Sequence, residues 1–134
     1  MTMRTILIID DDPAFIQLVR MRLATSDYHV VTATGGAEGL QKAKSTQPDL
    51  ILLDVVMPGM DGGDVSQALQ ADPQLRTVPV VHFTSLIGRE EAVRRNDKTS
   101  QEVFLSKTAS SSEMFTAIVK ALATKERPNE HVRT

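Results

Sequence analysis

An apolar run near the middle of this sequence ends in an acid, and it limits the folds that the chain can adopt. Residues 50–53 read Leu-Ile-Leu-Leu and lead directly to Asp54, and a Pro58-Gly59 turn follows. An unbroken apolar run of this length predicts a strand that is buried on both faces, as in a parallel sheet. Asp54 then lies where the strand leaves the core. Either a cap for the following loop or a functional carboxylate would explain an acid at that position.

Four further apolar runs predict strands, at residues 5–9, 29–33, 78–84 and 102–105. Apolar residues at helical spacing predict a helix after each strand, although the pattern of the fourth helix, after strand four, is weak. Asp12 and Pro13 are typical of the start of the first helix, and Ser110 with Glu113 predicts a capping box at the start of the last. The apolar positions expected to face the core from the first, second and last helices are Phe15, Leu18, Val19, Leu23, Ala37, Leu40, Ala43, Met114, Phe115, Ile118, Val119 and Leu122.

Alternation of five strands with five helices predicts an α/β fold of the flavodoxin-like, doubly wound (βα)5 type. Its five-stranded parallel sheet has the order 2-1-3-4-5 and carries helices on both faces. Residues 125–134 contain too little apolar surface to pack against such a sheet. We therefore predict one domain over residues 1–124 and a flexible C-terminal tail over residues 125–134.

Composition excludes several classes of protein. The chain has 134 residues, 41% of them hydrophobic, and a formal net charge of −2, which argues against a nucleic-acid or anionic-membrane partner attracted by bulk charge. The absence of cysteine excludes disulfides and thiolate chemistry. No apolar run approaches the roughly 20 residues that a membrane span needs. These features predict a cytoplasmic protein.

Polar residues follow the predicted strands, at the edge where such sheets bind ligands. They are Asp10 and Asp11 after strand one, Asp54 after strand three, Thr84 after strand four and Lys107 after strand five. A cluster of carboxylates needs a proton, a lysine or a metal ion to offset the repulsion of like charges, and oxygen ligands in a shallow site favour Mg²⁺ as the metal. A carboxylate beside that ion can attack phosphorus and become an acyl phosphate. Asp54 is the best candidate nucleophile, because it stands alone on its strand while adjacent Asp10 and Asp11 can share the metal.

Four segments of the chain resemble the receiver domains of two-component response regulators. They are residues 8–13 (Ile-Ile-Asp-Asp-Asp-Pro), 53–62 (Leu-Asp-Val-Val-Met-Pro-Gly-Met-Asp-Gly), 83–85 (Phe-Thr-Ser) and 104–107 (Phe-Leu-Ser-Lys). Each segment is weak evidence alone, but together, in this order and at these strand ends, they are specific. The resemblance covers residues 4–123. Receiver domains of this family are similar in kind to the chemotaxis receiver.

The resemblance implies a role for each of these residues. Asp54 accepts a phosphoryl group from a histidine kinase or phosphotransfer protein, and Lys107 pairs with the phosphoryl oxygens. Asp10, Asp11 and Asp54 hold Mg²⁺, together with the carbonyl of Val56. The hydroxyl of Thr84 moves toward phosphorylated Asp54, and the ring of Phe104 swings into the space left behind. Thr84 and Phe104 thus form the switch.

The same resemblance implies how the signal leaves the domain. The face made by the fourth helix, the fifth strand and the last helix changes shape and contacts a downstream protein effector. The domain catalyses only its own phosphorylation and dephosphorylation, so it is not an enzyme in the usual sense. The expected partners include no nucleic acid directly and no membrane, and the expected state is a monomer or a phosphorylation-dependent dimer.

The chain departs from the family pattern directly after Lys107. Family members usually carry proline after this lysine, with a cis bond before it. Thr108 stands there instead, and a cis bond would cost roughly 3 kcal/mol.

The alternative functions are a degenerate receiver that acts only as a protein-binding module, and a flavin-binding protein of the same fold. His82, within strand four, is interpreted as a neutral core residue.

Val56 and Leu86 flank the approach to Asp54. Their apolar side chains cannot position a hydrolytic water, which predicts slow loss of phosphate from Asp54.

Overall fold

A computed structural model describes the backbone of residues 3–85 and 103–133, with side chains up to residue 123. The strands are β1 (Thr5–Ile9), β2 (His29–Ala33), β3 (Leu50–Asp54), β4 (Val80–Thr84) and β5 (Val103–Ser106). The helices are α1 (Pro13–Leu23), α2 (Gly36–Thr46), α3 (Gly62–Ala71) and a C-terminal helix (Ser111–Arg133). The predicted fourth helix lies outside the described residues. No helix in the described part of the chain has the length and apolar character needed to cross a membrane.

The five strands form one parallel sheet in the order β2-β1-β3-β4-β5, which confirms the predicted flavodoxin-like topology. In the register of the sheet, Asp54 lies opposite Phe83, and Thr84 lies opposite Ser106. Because all strands run in the same direction, their carboxyl ends form one edge. That edge is where the polar residues of the sequence were expected to meet.

Successive side chains of each strand enter two different cores, one on each face of the sheet. Ile6, Ile8, Leu50 and Leu52 pack with α1 and the C-terminal helix. Leu7, Ile9, Ile51 and Leu53 pack with α2 and α3. Since both faces are covered, the strands need apolar residues at every position, which is why they appear in the sequence as unbroken runs.

Side-chain caps fix where three of the helices begin. The Asp12 carboxylate accepts a hydrogen bond from the backbone N–H of Ala14 at 3.0 Å, and Pro13 occupies the first turn. Asp61 and Asp64 form a capping box at the start of α3. The predicted capping box of the last helix is confirmed. The Ser110 hydroxyl accepts from the Glu113 N–H at 3.1 Å, and the Glu113 carboxylate accepts from the Ser110 N–H at 2.8 Å. Each cap satisfies backbone donors that the first turn leaves unpaired.

Three of the predicted core positions are wrong. Leu18, Ala37 and Val119 are exposed. On α1 the buried stripe runs through Ile16 and Val19, which turns Leu18 toward solvent. Val119 follows buried Ile118, and neighbouring residues on a helix point about 100° apart, so only one of the two can face the sheet.

The C-terminal helix continues to Arg133, past the predicted domain end at residue 124. The predicted tail over residues 125–134 rested on the lack of apolar residues there. Lys125, Glu126 and Arg127 have high helix propensity, which favours continuation of the helix, whereas Pro128 within the same helix opposes it. The boundary at residue 124 between a packed domain and a tail remains a prediction.

Helix α2 packs unusually close to β1, and glycine makes this possible. A Cβ atom placed on Gly39 would lie only 2.6 Å from Cδ1 of Ile9, whose side chain is fully buried. The buried face of α2 consists of Gly36, Gly39 and Ala43. These small residues explain why the helix looks only weakly amphipathic in the sequence.

We predict that Gly39→Ala lowers the free energy of unfolding by about 1 kcal/mol. Alanine is the better helix former by about 1 kcal/mol, but overpacking against Ile9 costs more, typically 1–3 kcal/mol. Urea denaturation measures the difference. Ala37→Leu is the matched control, because it adds a larger group at an exposed position of the same helix and should change stability by less than about 0.5 kcal/mol. A Gly39→Ala chain more stable than the parent would contradict the close packing.

Candidate functional site

The carboxyl ends of β1, β3, β4 and β5 bring the predicted site residues to one edge of the sheet. Asp10 directly follows β1, Asp54 ends β3, Thr84 ends β4 and Lys107 directly follows β5. Asp10, Asp54 and Thr84 are buried, whereas Asp11 is exposed. The polar cluster thus has a closed floor within the protein and one side open to solvent.

Three carboxylates converge at this edge. One oxygen from each of Asp10, Asp11 and Asp54 lies within 4.8 Å of the other two. Backbone donors hold the two buried acids in place. The N–H of Asp12 donates to Oδ1 of Asp10 at 2.8 Å, and the N–H of Val56 donates to Oδ1 of Asp54 at 3.3 Å. The turns that follow β1 and β3 therefore set the positions of these carboxylates.

Lys107 supplies the positive charge that the cluster needs. Its Nζ lies 2.9 Å from Oδ2 of Asp10 and 3.4 Å from Oδ2 of Asp54. Within the described residues, Oδ2 of Asp10 accepts no hydrogen bond of good geometry, so its ion pair with Lys107 must compensate its burial. One ammonium thus bridges two buried acids.

Burial and charge change how easily these groups ionise. Burial, and next the charge of Asp10, raise the pKa of Asp54 to about 6, although Lys107 and the N–H of Val56 both oppose the shift. Burial alone would lower the pKa of Lys107, but the pairing with Asp10 and Asp54 raises it overall. The lysine therefore stays charged at neutral pH, while Asp54 ionises at a higher pH than an ordinary aspartate.

The donor set fits a magnesium ion. Three carboxylates present hard oxygen ligands, and the exposed position of Asp11 leaves a side on which the ion could keep water. Lys107 neutralises only part of the charge of these acids, so a divalent cation would relieve the remaining repulsion. The backbone N–H of Val56 contacts Asp54, and the role of its carbonyl as a further ligand remains a prediction.

The two predicted switch residues lie on neighbouring strands. Thr84 is buried at the end of β4. The ring of Phe104 stacks on the ring of His82, with centroids 5.0 Å apart and the planes 25° from parallel. His82 is buried in β4, as expected for a core residue. These positions describe one conformation, and the exchange between Thr84 and Phe104 remains a prediction.

The loop after Lys107 is closed by hydrogen bonds rather than by a cis bond. No cis peptide bond occurs among the described residues. The Ser106 hydroxyl lies 2.7 Å from the Thr108 hydroxyl and accepts from the Thr108 N–H at 3.1 Å. On the other side of the loop, the Arg22 guanidinium donates to the carbonyl of Ala109 at 2.9 Å. Thr108 and Ser106 together thus hold the segment that follows Lys107.

Sequence reasoning missed one residue of the site, Phe15. The Nζ of Lys107 lies 4.7 Å from the centroid of the Phe15 ring, within the range of a cation–π contact. From the sequence, Phe15 was assigned only to the apolar stripe of α1. Its position five residues after Asp10, at the start of the helix beside the site, was the available signal.

Known proteins of one family match most of this chain. The sequence profile described as response regulator receiver domain matches residues 6–119. Response regulator PleD of Caulobacter vibrioides is 41% identical over 102 residues, 76% of this chain and 22% of PleD. RpaA of Synechocystis sp., a DNA-binding dual master transcriptional regulator, is 38% identical over 120 residues, 90% of this chain and 49% of RpaA. The polar-differentiation response regulator DivK of Brucella anthropi is 31% identical over 109 residues, 80% of this chain and 86% of DivK.

The chain thus spans about a fifth of PleD and about half of RpaA, but most of DivK. Solved structures resemble it as well. The chemotaxis protein CheY4 of Vibrio cholerae superimposes with a TM-score of 0.76 at 26% identity, over 90% of this chain and 99% of that chain. The N-terminal domain of a response regulator receiver protein from Methanoculleus marisnigri gives a TM-score of 0.67 at 30% identity, over 91% of this chain and 98% of that chain.

The raised pKa of Asp54 predicts that the site destabilises the fold. Above pH 6 the native state must carry an ionised Asp54 that the unfolded chain ionises near pH 3.8, so stability falls as the pH rises between these values. Asp54→Asn removes this cost. In EDTA above pH 6 the variant should be more stable than the parent, by on the order of 2 kcal/mol.

Denaturant unfolding from pH 3 to 8 measures the difference, which should become small near pH 4 and vanish toward pH 3, where Asp54 is neutral in both states. Adding Mg²⁺ should shrink it at pH 7.5, because a cation favours the ionised carboxylates of the parent chain. A stability difference that is independent of pH would show that Asp54 does not titrate as described.

Proposed function

The chain belongs to the response regulator receiver domain family, and on this premise we propose that Asp54 accepts a phosphoryl group from a phosphorylated histidine of a partner protein. The observation that carries the proposal is the buried carboxylate of Asp54, 3.4 Å from the ammonium of Lys107. A carboxylate in such a place is costly for the fold, which makes a chemical role the better explanation than a loop cap.

In the proposed step, an oxygen of ionised Asp54 donates its electron pair to phosphorus. The bond between phosphorus and the donor histidine nitrogen breaks. The nitrogen leaves with the electron pair of that broken bond and takes a proton from solvent. Since the pKa of Asp54 is about 6, the reactive ionised form predominates at neutral pH. The N–H of Val56 contacts Oδ1, which leaves Oδ2, the oxygen beside Lys107, as the better placed nucleophile.

Asp10, Asp11 and Asp54 are the residues that would hold Mg²⁺, with the Val56 carbonyl as a further proposed ligand. When bound, the ion would neutralise negative charge on the transferring phosphoryl group. Lys107 would meet the same charge from the other side, since its ammonium already lies between the two buried acids. The Thr84 hydroxyl would supply a third donor, and its burial at the end of β4 supports that role.

Signal output is proposed to follow the movement of Thr84 and Phe104. The two lie on neighbouring strands, with Phe104 opposite His82, two residues before Thr84, and Phe104 is only partly buried, which leaves its ring room to turn. The face formed by the predicted fourth helix, β5 and the C-terminal helix would then change and bind a downstream protein effector. The predicted fourth helix lies outside the described residues. A phosphorylation-dependent dimer and a cytoplasmic location stay predictions from the sequence.

Membership of the receiver family sets aside the flavin-binding alternative. The degenerate receiver, which binds proteins without being phosphorylated, is disfavoured because Asp10, Asp11, Asp54 and Lys107 are all present and converge. The two remaining possibilities differ in one measurable property, the uptake of a phosphoryl group.

We expect the chain to gain one phosphoryl group when it is incubated with acetyl phosphate and Mg²⁺, as measured by intact mass. Asp54→Asn should gain none, and EDTA should abolish the gain in the parent. Asp61→Asn is the matched control, since Asp61 is an exposed carboxylate in the cap of α3 and should leave the reaction unchanged. Equal uptake by the parent and Asp54→Asn would show that the acceptor is misassigned, and no uptake would favour the degenerate receiver.

We also predict that phosphorylated Asp54 loses its phosphate slowly and that Val56→Asn accelerates the loss, by about tenfold. Val56 is half exposed beside the acceptor, and its apolar side chain cannot orient a water, whereas a carboxamide can. The decay of the phosphorylated mass after removal of the donor measures the rate. Val56→Leu should decay like the parent, and an unchanged rate in Val56→Asn would contradict the explanation.

A further inference from the structure

We propose that Phe15 is a positioning residue for the phosphoryl transfer. The face of its ring holds the Lys107 ammonium beside Asp54 when the charge on the carboxylates of Asp10 and Asp54 changes during the reaction. This inference rests on the function proposed above. It adds to that function a residue that does not touch the phosphoryl group and acts through the lysine.

Among the described residues, the ammonium of Lys107 has neighbours of two different kinds. Two are the carboxylate oxygens of Asp10 and Asp54, at 2.9 and 3.4 Å. The third is the face of the Phe15 ring, 4.7 Å from the nitrogen to the centroid. The lysine side chain is only 17% exposed, so little water competes for its charge. Partial removal from water strengthens a cation–π contact.

The position of the Phe15 ring is fixed from several directions. Phe15 lies in the first turn of α1, whose start is set by the Asp12 cap and by Pro13. The ring is buried, and it packs against Phe83 in an edge arrangement, with centroids 5.0 Å apart and planes at 71°. Phe83 in turn lies opposite Asp54 in the sheet. The ring is therefore part of the packed core, and its position is set independently of the lysine.

The same turn also positions Asp10. The N–H of Asp12 donates to Oδ1 of Asp10, while the side chain of Asp12 caps α1. A few consecutive residues thus set one carboxylate and the aromatic face on which the lysine rests. The β1–α1 turn therefore sets the relative placement of Asp10 and Phe15, and β5 brings Lys107 to them.

An aromatic ring differs from a carboxylate in a way that matters during the reaction. When a cation binds Asp10 and Asp54, or when an oxygen of Asp54 becomes bonded to phosphorus, the negative charge available to Lys107 changes. The ring has no proton to lose and no lone pair to give away, and its attraction for a cation persists. Phe15 therefore keeps the ammonium at the site when its ion pairs weaken.

The contact itself can be tested without phosphorylation. The methylene protons next to Nζ of Lys107 should be shielded by the Phe15 ring in proton NMR, and Phe15→Leu should remove this shielding. Trifluorinated phenylalanine at position 15 keeps the shape of the ring but weakens the negative charge of its face, so it separates the cation–π contact from packing. Lysine resonances that are the same in the parent and in Phe15→Leu would overturn the proposal.

The functional consequence is measured as the rate of phosphorylation by acetyl phosphate at saturating Mg²⁺. Phe15→Leu and the trifluorinated chain should both react about three- to tenfold more slowly than the parent, the range expected for losing a partly buried cation–π contact. Their Mg²⁺ affinity should stay within about twofold of the parent, since the carboxylates are intact. Val19→Ala is the control, because it loosens the buried face of α1 without contacting Lys107, and it should react at close to the parental rate.

The outcomes separate this inference from the function on which it rests. A parent chain that takes up no phosphoryl group overturns the proposed function and the positioning role with it. A parent that is phosphorylated, with Phe15 variants that match its rate, overturns the positioning role alone. Equal slowing of Phe15→Leu and Val19→Ala also overturns it, because Phe15 would then act only as a packing residue of α1.

Discussion

The ion pairs of Lys107 with Asp10 and Asp54 are the interaction on which the rest of the site depends. Parallel strands end at the same edge, so the order β1-β3 forces the two buried acids together. Like charges about 4 Å apart repel by about 4 kcal/mol near a protein surface, which is a large part of the stability of a small domain. The strand β5 brings the one ammonium that offsets this repulsion within the described cluster.

The charge of Lys107 offsets only part of the repulsion between these carboxylates, and the remaining negative charge has a use in the site. The pKa of Asp54 remains raised, to about 6, even with Lys107 in place, because burial and Asp10 outweigh the lysine. Ionised Asp54 therefore carries an unfavourable charge. Further positive charge would offset it, and a group bonded to the carboxylate would remove it. A binding site for a divalent cation and a nucleophilic carboxylate have the same physical origin here, which is uncompensated negative charge at a buried strand end.

The alternation of strands and helices predicted the sheet order through the flavodoxin-like fold class, and the common direction of the strands then predicted the meeting of Asp10, Asp54 and Lys107. The sequence was not sufficient for contacts that depend on how a helix is rotated. Phe15 and Leu18 look alike in the apolar stripe of α1, yet one lies under the lysine and the other is exposed. The close approach of α2 to β1 at Gly39 could not be predicted either. Gly39 faces the core, but a glycine adds nothing to an apolar pattern.

The backbone of Lys107 is tied to the residue expected to move in signalling. Its N–H donates to the carbonyl of Thr84 at 3.0 Å, and Thr84 lies opposite Ser106 in the ladder between β4 and β5. Ser106 in turn binds Thr108, so the segment that carries the lysine is closed on itself by side-chain hydrogen bonds. A shift of the β4 end would therefore reach Lys107 through its backbone. The ring of Phe15 belongs to the rigid core on the α1 side, and it would resist that shift at the ammonium.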